Sequence, residues 1–535
     1  MHWKNSFWLV GTMILVLAGG CHLIVGIRDA EPYPPDAGAG AGGATTCTPS
    51  QTQVCYGGPE QTESVGVCKA GTQTCTADGE WGPCAGEVLP GQEDCSAPTD
   101  EDCNGYACGE TLWVKQFGVQ STSAYPADVA VDRQTGDIYV AGHFSGTLPI
   151  GSDTLASQSA PSVAFLAKFD GQGTPLWTKQ FGEMNDPPPP SVWTESASVA
   201  VDGQGNVVLI GTASTTVDLG GGDLPGGVFI GKFAPSGQLL WSQACQTAEV
   251  VFASGAVDPI SNDVIVAGLF GYGGFDTVTC GNVSLMGGAA VFVSRLAASD
   301  GSVLFATKFV GGDVGLSQQE VAVDDQGSIL LTGRGYNLNF GGPLLTGVYV
   351  AKLASNGSHV WSRGFGAGSG LALALDAAGG LAIAGFGEAT GPLNFGGEDL
   401  MPLGQEDLFV ATLDGLGNHV RSRRFGSPGD NRSSGRSVAI DSKGNITIAG
   451  RVYGNVVLDD TILAVAGTEG SFAAQFDADG RAAWSKTFGR DQCYVAFSSM
   501  NELVVACQSI VAADFGEGLM TPVGDSDLFL LKIAP

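Results

Sequence analysis

Short apolar runs bounded by turn residues mark the chain from residue 111 to 535. In the clearest unit Val129-Ala-Val-Asp132 reads as a strand and Gly136-Asp137 as a turn. Three further strands follow: Ile138 to Gly142, Phe165 to Phe169, and Leu176 to Gly182. The first strand and its turn recur as Val199-Ala-Val-Asp202, Ala256-Val-Asp258, Val321-Ala-Val-Asp324, Leu373-Ala-Leu-Asp376 and Val438-Ala-Ile-Asp441. Val495-Ala-Phe-Ser498 is a seventh, degenerate copy. Aspartate caps such turns, and glycine or asparagine accepts their positive φ, so these residues read as hairpin chemistry rather than metal ligands.

The third and fourth strands are joined where a glycine precedes an aromatic by four residues: Gly173/Trp177, Gly237/Trp241, Gly301/Phe305, Gly357/Trp361 and Gly480/Trp484, with Gly417 followed by Arg421 in one copy. A second aromatic stands four residues further on, at Phe181, Phe309, Phe365, Phe425 and Phe488, with Cys245 as the exception. Even spacing puts both on one strand face, where they are expected to pack one unit on the next. Seven copies of the first three strands are followed by only six fourth strands. The missing one is Thr111 to Gly118, which matches Pro175 to Gly182 almost residue for residue. Pairing residues 111–118 with the last copy would close a ring and leave no free edge. The expected fold is all-β, a seven-bladed propeller of four-stranded antiparallel blades over 111–535, preceded by a small disulfide-rich module.

Composition agrees, with 82 glycines and only 15% charged residues in 535. A formal charge of -30 offers no basic stripe for phosphates and excludes nucleic acid as a partner. Lys4, the apolar run Phe7 to Leu17 and the small residues Ala18, Gly19 and Gly20 before Cys21 make residues 1–20 a secretion signal. Residues 21–46, rich in Pro, Gly and Ala, form a flexible tether.

Cys47, Cys55, Cys68, Cys75, Cys84, Cys95, Cys103 and Cys108 give an even count in a secreted segment. Without C-x-x-C pairs or an intervening histidine they read as disulfides rather than a zinc site, in a module spanning 47–108. Its acidic stretch, Glu93, Asp94, Asp100, Glu101, Asp102 and Asn104, admits calcium as an alternative to no cofactor, although no EF-hand pattern is present. Cys493 and Cys507 face each other across a hairpin centred near Met500 and are expected to bond. Cys245 and Cys280 fall in neighbouring blades and either bond or stay buried. Cys21 is then the odd cysteine.

Three resemblances extend this reading. Ala18-Gly19-Gly20-Cys21 resembles a lipobox, which implies lipidation of Cys21. With His22 rather than Asp after it, the resemblance implies the outer membrane, at the cell surface or periplasmic face. Tyr139-Val-Ala-Gly142, Ala167-Lys168, Ala351-Lys352 and the Gly-x-x-x-Trp turns resemble the bacterial SBBP repeat, which implies a propeller in a surface setting and carries no activity. The same turns are similar to the tryptophan-docking repeats of quinoprotein dehydrogenases, which would imply pyrroloquinoline quinone with calcium. This chain lacks the adjacent cysteines found in many members of that family.

Chemistry is otherwise sparse. His22, His143, His359 and His419 share no motif, and no G-x-S-x-G, H-E-x-x-H, P-loop or Rossmann pattern occurs. A carbohydrate-active propeller would need carboxylates converging on the funnel, with Asp407 and Asp527 as candidates against a role at third-strand edges. The resulting expectation is a monomeric, non-catalytic envelope lipoprotein. Its loops, such as Ser145 to Ser162 and Gly271 to Gly288, would bind an envelope or extracellular protein or glycan.

Overall fold

The computed structural model describes residues 47–91, 99–103, 105–157, 162–182, 194–247, 252–271, 274–312, 319–429, 432–459, 461–463, 465, 469–490 and 492–535. The signal 1–20, Cys21, the tether, and Glu93, Asp94, Cys95 and Asn104 lie outside them. Two compact units are present, and the boundary differs from the expected module at 47–108. Residues 64–68 and everything from Pro90 onward group with the larger unit, where Cys68 bonds Cys103. Cys108 is also disulfide-bonded. In the smaller unit Thr52–Cys55 pairs antiparallel with Gly71–Thr74, stapled by Cys47–Cys75 and Cys55–Cys84. So short a ladder buries little apolar surface, and the bridges take the place of a core.

The larger unit is a propeller. Six of its blades are four-stranded antiparallel sheets. The first runs outward from Ser123–Val131 through Ile138–Ser145 and Val163–Phe169 to Pro175–Phe181. The remaining repeat departs from the expected seven four-stranded blades. Thr194–Val201, Val207–Ala213, Gly227–Phe233 and Leu239–Gln246 are extended by Asp276–Cys280 and Val283–Gly287 into one six-stranded sheet. The cause is local: Cys245 lies opposite Cys280 in register and is bonded to it, which draws a hairpin of the following blade onto this sheet's edge. Both stretches expected as loops, Ser145 to Ser162 and Gly271 to Gly288, carry hairpins of their own, Thr147–Ile150 with Asp153–Ala156 and Asp276–Cys280 with Val283–Gly287.

Inner strands Ser123–Val131, Thr194–Val201, Ala253–Val257, Glu320–Val323, Gly368–Leu375, Ser434–Ile440 and Cys493–Phe497 contact one another in that order, and the last contacts the first. Thr111–Phe117 is the outer strand of the last blade, with Trp113 opposite Lys532. Gln116 donates to Asp527 at 2.6 Å and Thr111 to the Phe515 carbonyl at 2.6 Å, so side chains as well as the ladder hold this closing strand. Cys493 and Cys507 sit opposite each other and are bonded.

Third strands such as Val163–Phe169 and Asp527–Ile533 are buried throughout because blades cover both faces, which is why they read as apolar runs interrupted only by ion-paired residues such as Lys168 and Lys532 and by Asp527. Successive blades interlock through the Gly-x-x-x-Trp turns. Gly173 lies against Trp113, Gly237 against Trp177, Gly301 against Trp241, Gly357 against Phe305, Gly417 against Trp361 and Gly480 against Arg421, and Gly109 against Trp484 completes the circuit. At Gly301 φ is +71° and a Cβ would stand 2.5 Å from the Trp241 ring, so both the backbone and the space require glycine. The second aromatics wedge against the inserted hairpins, with ring centroids 4.7 Å apart for Phe309–Phe340 and for Phe365–Phe395.

Candidate functional site

The repeated turn aspartates are structural. Asp202 Oδ1 accepts the amides of Gln204 and Asn206 at 2.8 and 2.9 Å, and its other oxygen meets Lys232 Nζ at 2.8 Å. Arg295 pairs with Asp258, Lys352 with Asp324 at 2.8 Å, and Lys532 with Glu502 at 2.8 Å. Burial pushes the carboxyls of Asp202 and Asp324 upward, but the lysine ammonium and the turn amides outweigh it and hold both below the usual carboxylate range. Asp407 and Asp527, the candidate funnel carboxylates, are likewise committed to loops. Asp407 accepts from the Leu403 and Gly404 amides and from Arg424 Nε at 2.8 Å, and Asp527 accepts from the Val523 and Gly524 amides.

The charged residues that do converge come from the inner strands. The position four residues before each turn residue falls at the same register and is occupied by Asp128, Ser198, Ser254, Glu320, Ala372, Ser437 and Tyr494. Asp128, Ser198, Glu320, Ser437 and Tyr494, with Arg436 from a bulge in its strand, line an axial cavity of about 150 Å³. Asp128 accepts the Val199 amide at 2.9 Å and the Ser198 hydroxyl at 3.2 Å, which latches one inner strand to the next. Ser437 accepts the Val495 amide at 3.1 Å in the same way.

Burial raises the Asp128 carboxyl to about 6 against these hydrogen bonds. Glu320 is raised well above the usual range, first by burial and then by the charge of Asp128. Arg436 Nε has no hydrogen-bond partner among the described residues. These residues escape motif reading because they face one another only after the ring closes. A signal does exist, the polar residue at a fixed distance before the turn aspartate.

A second concavity, about 450 Å³, opens beside the connections between second and third strands. Gly335, Gly347 and Gly368 line it together with Tyr336, Thr346, Ala367 and the Arg334–Glu388 ion pair at 2.6 Å. Tyr336 is 55% exposed. The same set of connections carries Phe275, 76% exposed, and Leu344, Met401 and Leu519, all exposed. His143 stacks on Tyr125 at 5.0 Å, and burial lowers its imidazole pKa despite the charge of Glu195. His359 and His419 bond to Ser362 and Ser422 on their own strands, so the three described histidines form no common site. Among the described residues no group of three or more His, Cys, Asp or Glu could hold a metal ion. In the acidic stretch the Asp100 carboxylate accepts the Gly105 amide. The axial residues do not fit a quinone cofactor, because their cavity is well below the ~300 Å³ at which small-molecule sites begin.

Residues 112–143 match the SBBP family, described as a beta-propeller repeat. None of the curated proteins matches the chain. Among solved structures it is similar to BamB from Moraxella catarrhalis, at 9% identity over 78% of this chain and 99% of that chain with a TM-score of 0.34. An ulvan lyase is similar at 11% identity over 78% and 96% with a TM-score of 0.39, and a quinohemoprotein alcohol dehydrogenase from Comamonas testosteroni at 10% over 78% and 76% with 0.35. These likenesses assign this chain neither an activity nor a ligand.

Proposed function

We propose that this chain is a lipid-anchored, seven-bladed propeller of the outer envelope, with the six-stranded sheet serving as the seventh blade. In this reading it acts as a non-catalytic scaffold that binds an envelope protein or glycan. The observation that carries the proposal is the groove at Tyr336: an exposed aromatic face beside a charged pair in a concavity of about 450 Å³. Such a mixture suits a sugar ring or an extended peptide, and Leu344, 63% exposed on the same connection, adds apolar surface beside it. The axial carboxylates favour the catalytic alternative less, since Asp128 is spent on holding Val199 and the cavity is too narrow for a saccharide.

The test is saturable binding of the purified chain to envelope fractions of its host, one digested with protease and one deglycosylated. Retention on only one fraction names the ligand class. Tyr336→Ala and Arg334→Ala are expected to weaken binding about tenfold or more, with Glu320→Gln unchanged. Binding that survives both groove substitutions but falls in Glu320→Gln would move the site to the axis.

A further inference from the structure

The repeat breaks at one place in a chemically directed way. Across the third and fourth strands a cation stands opposite an aromatic: Lys168 opposite Trp177, Lys232 opposite Trp241, Arg295 opposite Phe305, Lys352 opposite Trp361 and Lys532 opposite Trp113. Four of these cations reach past their own blade to a turn carbonyl of the next: Lys168 to Pro235, Lys232 to Ala298, Arg295 to Ser355 and Lys352 to Gly415, at 3.2 to 3.4 Å. The next copy has Thr412 opposite Arg421. Its turn aspartate, Asp376, receives the Ala378 and Gly380 amides on Oδ1 at 2.8 and 2.7 Å. On Oδ2 it has no partner among the described residues. The asparagine that donates to this oxygen in two other copies, Asn206 or Asn445, is here Gly380.

Asp376 is exposed, whereas Asp132, Asp202, Asp258, Asp324 and Asp441 are each 8% exposed or less. In the copy that contains Asp441 the cation is also missing, but Gln475 fills the place and accepts from Trp484 Nε1 at 3.0 Å. Only around Asp376, among the described residues, does the loss leave space. A cavity of about 290 Å³ is lined there by Asp376, Leu381, Thr412, Val420, Arg421 and Ile440. Among the described residues the buried Thr412 hydroxyl has no partner, and Arg421 forms no hydrogen bond or ion pair.

We propose that this cavity is a seat for a primary ammonium on an alkyl chain, supplied by a second molecule where the other blades supply their own lysine. The carboxylate takes the charge, and the leucine, valine and isoleucine walls suit a four-carbon stem. The site lies at the turn end of the propeller, away from the groove at Tyr336.

The test is saturation-transfer NMR on the full chain with n-butylammonium, with n-butanol as the uncharged probe. Transfer to the butyl methylenes is expected for butylammonium and not for butanol. It should persist in Thr412→Val, and fall about tenfold or more in Asp376→Asn and in Thr412→Lys, whose own ammonium fills the seat. Thr412→Lys with Arg421→Trp, which restores the pair used elsewhere, should also raise Tm. Nα-acetyl-lysine methylamide binding more tightly than cadaverine identifies a protein side chain as the source, and the reverse identifies a free polyamine. Either order supports the seat. Equal transfer from butylammonium and butanol, or transfer undiminished in both Thr412→Lys and Asp376→Asn, overturns it.

Discussion

Two kinds of carboxylate sit within a few residues of each other on the inner strands, and their environments push them in opposite directions. Turn aspartates such as Asp202 are held below the usual range, so their contribution to stability is present above the unfolded value near 3.8 and is lost as pH falls through the lower folded value. Asp128 is raised to about 6, so between pH ~4 and ~6 the folded state holds more protons than the unfolded one and stability falls as pH rises through that window. Asp128→Asn should remove this slope. Relative to wild type its urea midpoint is expected to gain the equivalent of about 1–3 kcal/mol between pH 4 and pH 7. An equal loss at both pH values would mean that Asp128 acts only through its hydrogen bond to Val199. The turn aspartates were legible from their Asp-x-x-Gly setting, because the hydrogen bonds they make are local. Asp128, Glu320 and Arg436 were not, because a period-two pattern says which face of a strand a residue occupies and not that several strands point that face at one axis.

At the scale of elements, the Gly-x-x-x-Trp turn is both a turn and an inter-blade contact, and the two roles can be separated. Gly444, in a turn between a first and a second strand and outside the motif, has φ +84° with nothing near its Cβ position and serves as the reference for a bare turn, so Gly444→Ala should cost only the backbone strain, about 1–2 kcal/mol. Gly301→Ala adds the clash with Trp241 and is expected to cost about 3 kcal/mol or more by chemical denaturation. Similar losses at the two positions would reduce the motif to turn geometry. Strand order and ring closure were readable because each unit repeats its turn signals and because Thr111 to Gly118 duplicates a fourth strand. The hairpin from Asp276 to Gly287 was read as loop for a physical reason. Its strands pair with each other in a tight local hairpin, and what no local pattern contains is the long-range pairing of Cys245 and Gln246 with Cys280 and Thr279 that joins it to the preceding sheet.

The larger unit is a ring whose inner and third strands are spent on packing, so its variable chemistry is displaced to the two ends. One end carries tight turns and the open seat at Asp376. The other carries the strand connections, the exposed aromatics and the groove at Tyr336. The central claim is that the second end binds an envelope component. Hydrogen–deuterium exchange of the purified chain with and without outer-membrane vesicles of its host tests it most directly. The account predicts slowed exchange at residues 334–347 and 386–405, with the axial strand around Glu320 unchanged. Slowing confined to the axial strands, or no slowing at the groove with vesicles in excess, would contradict it.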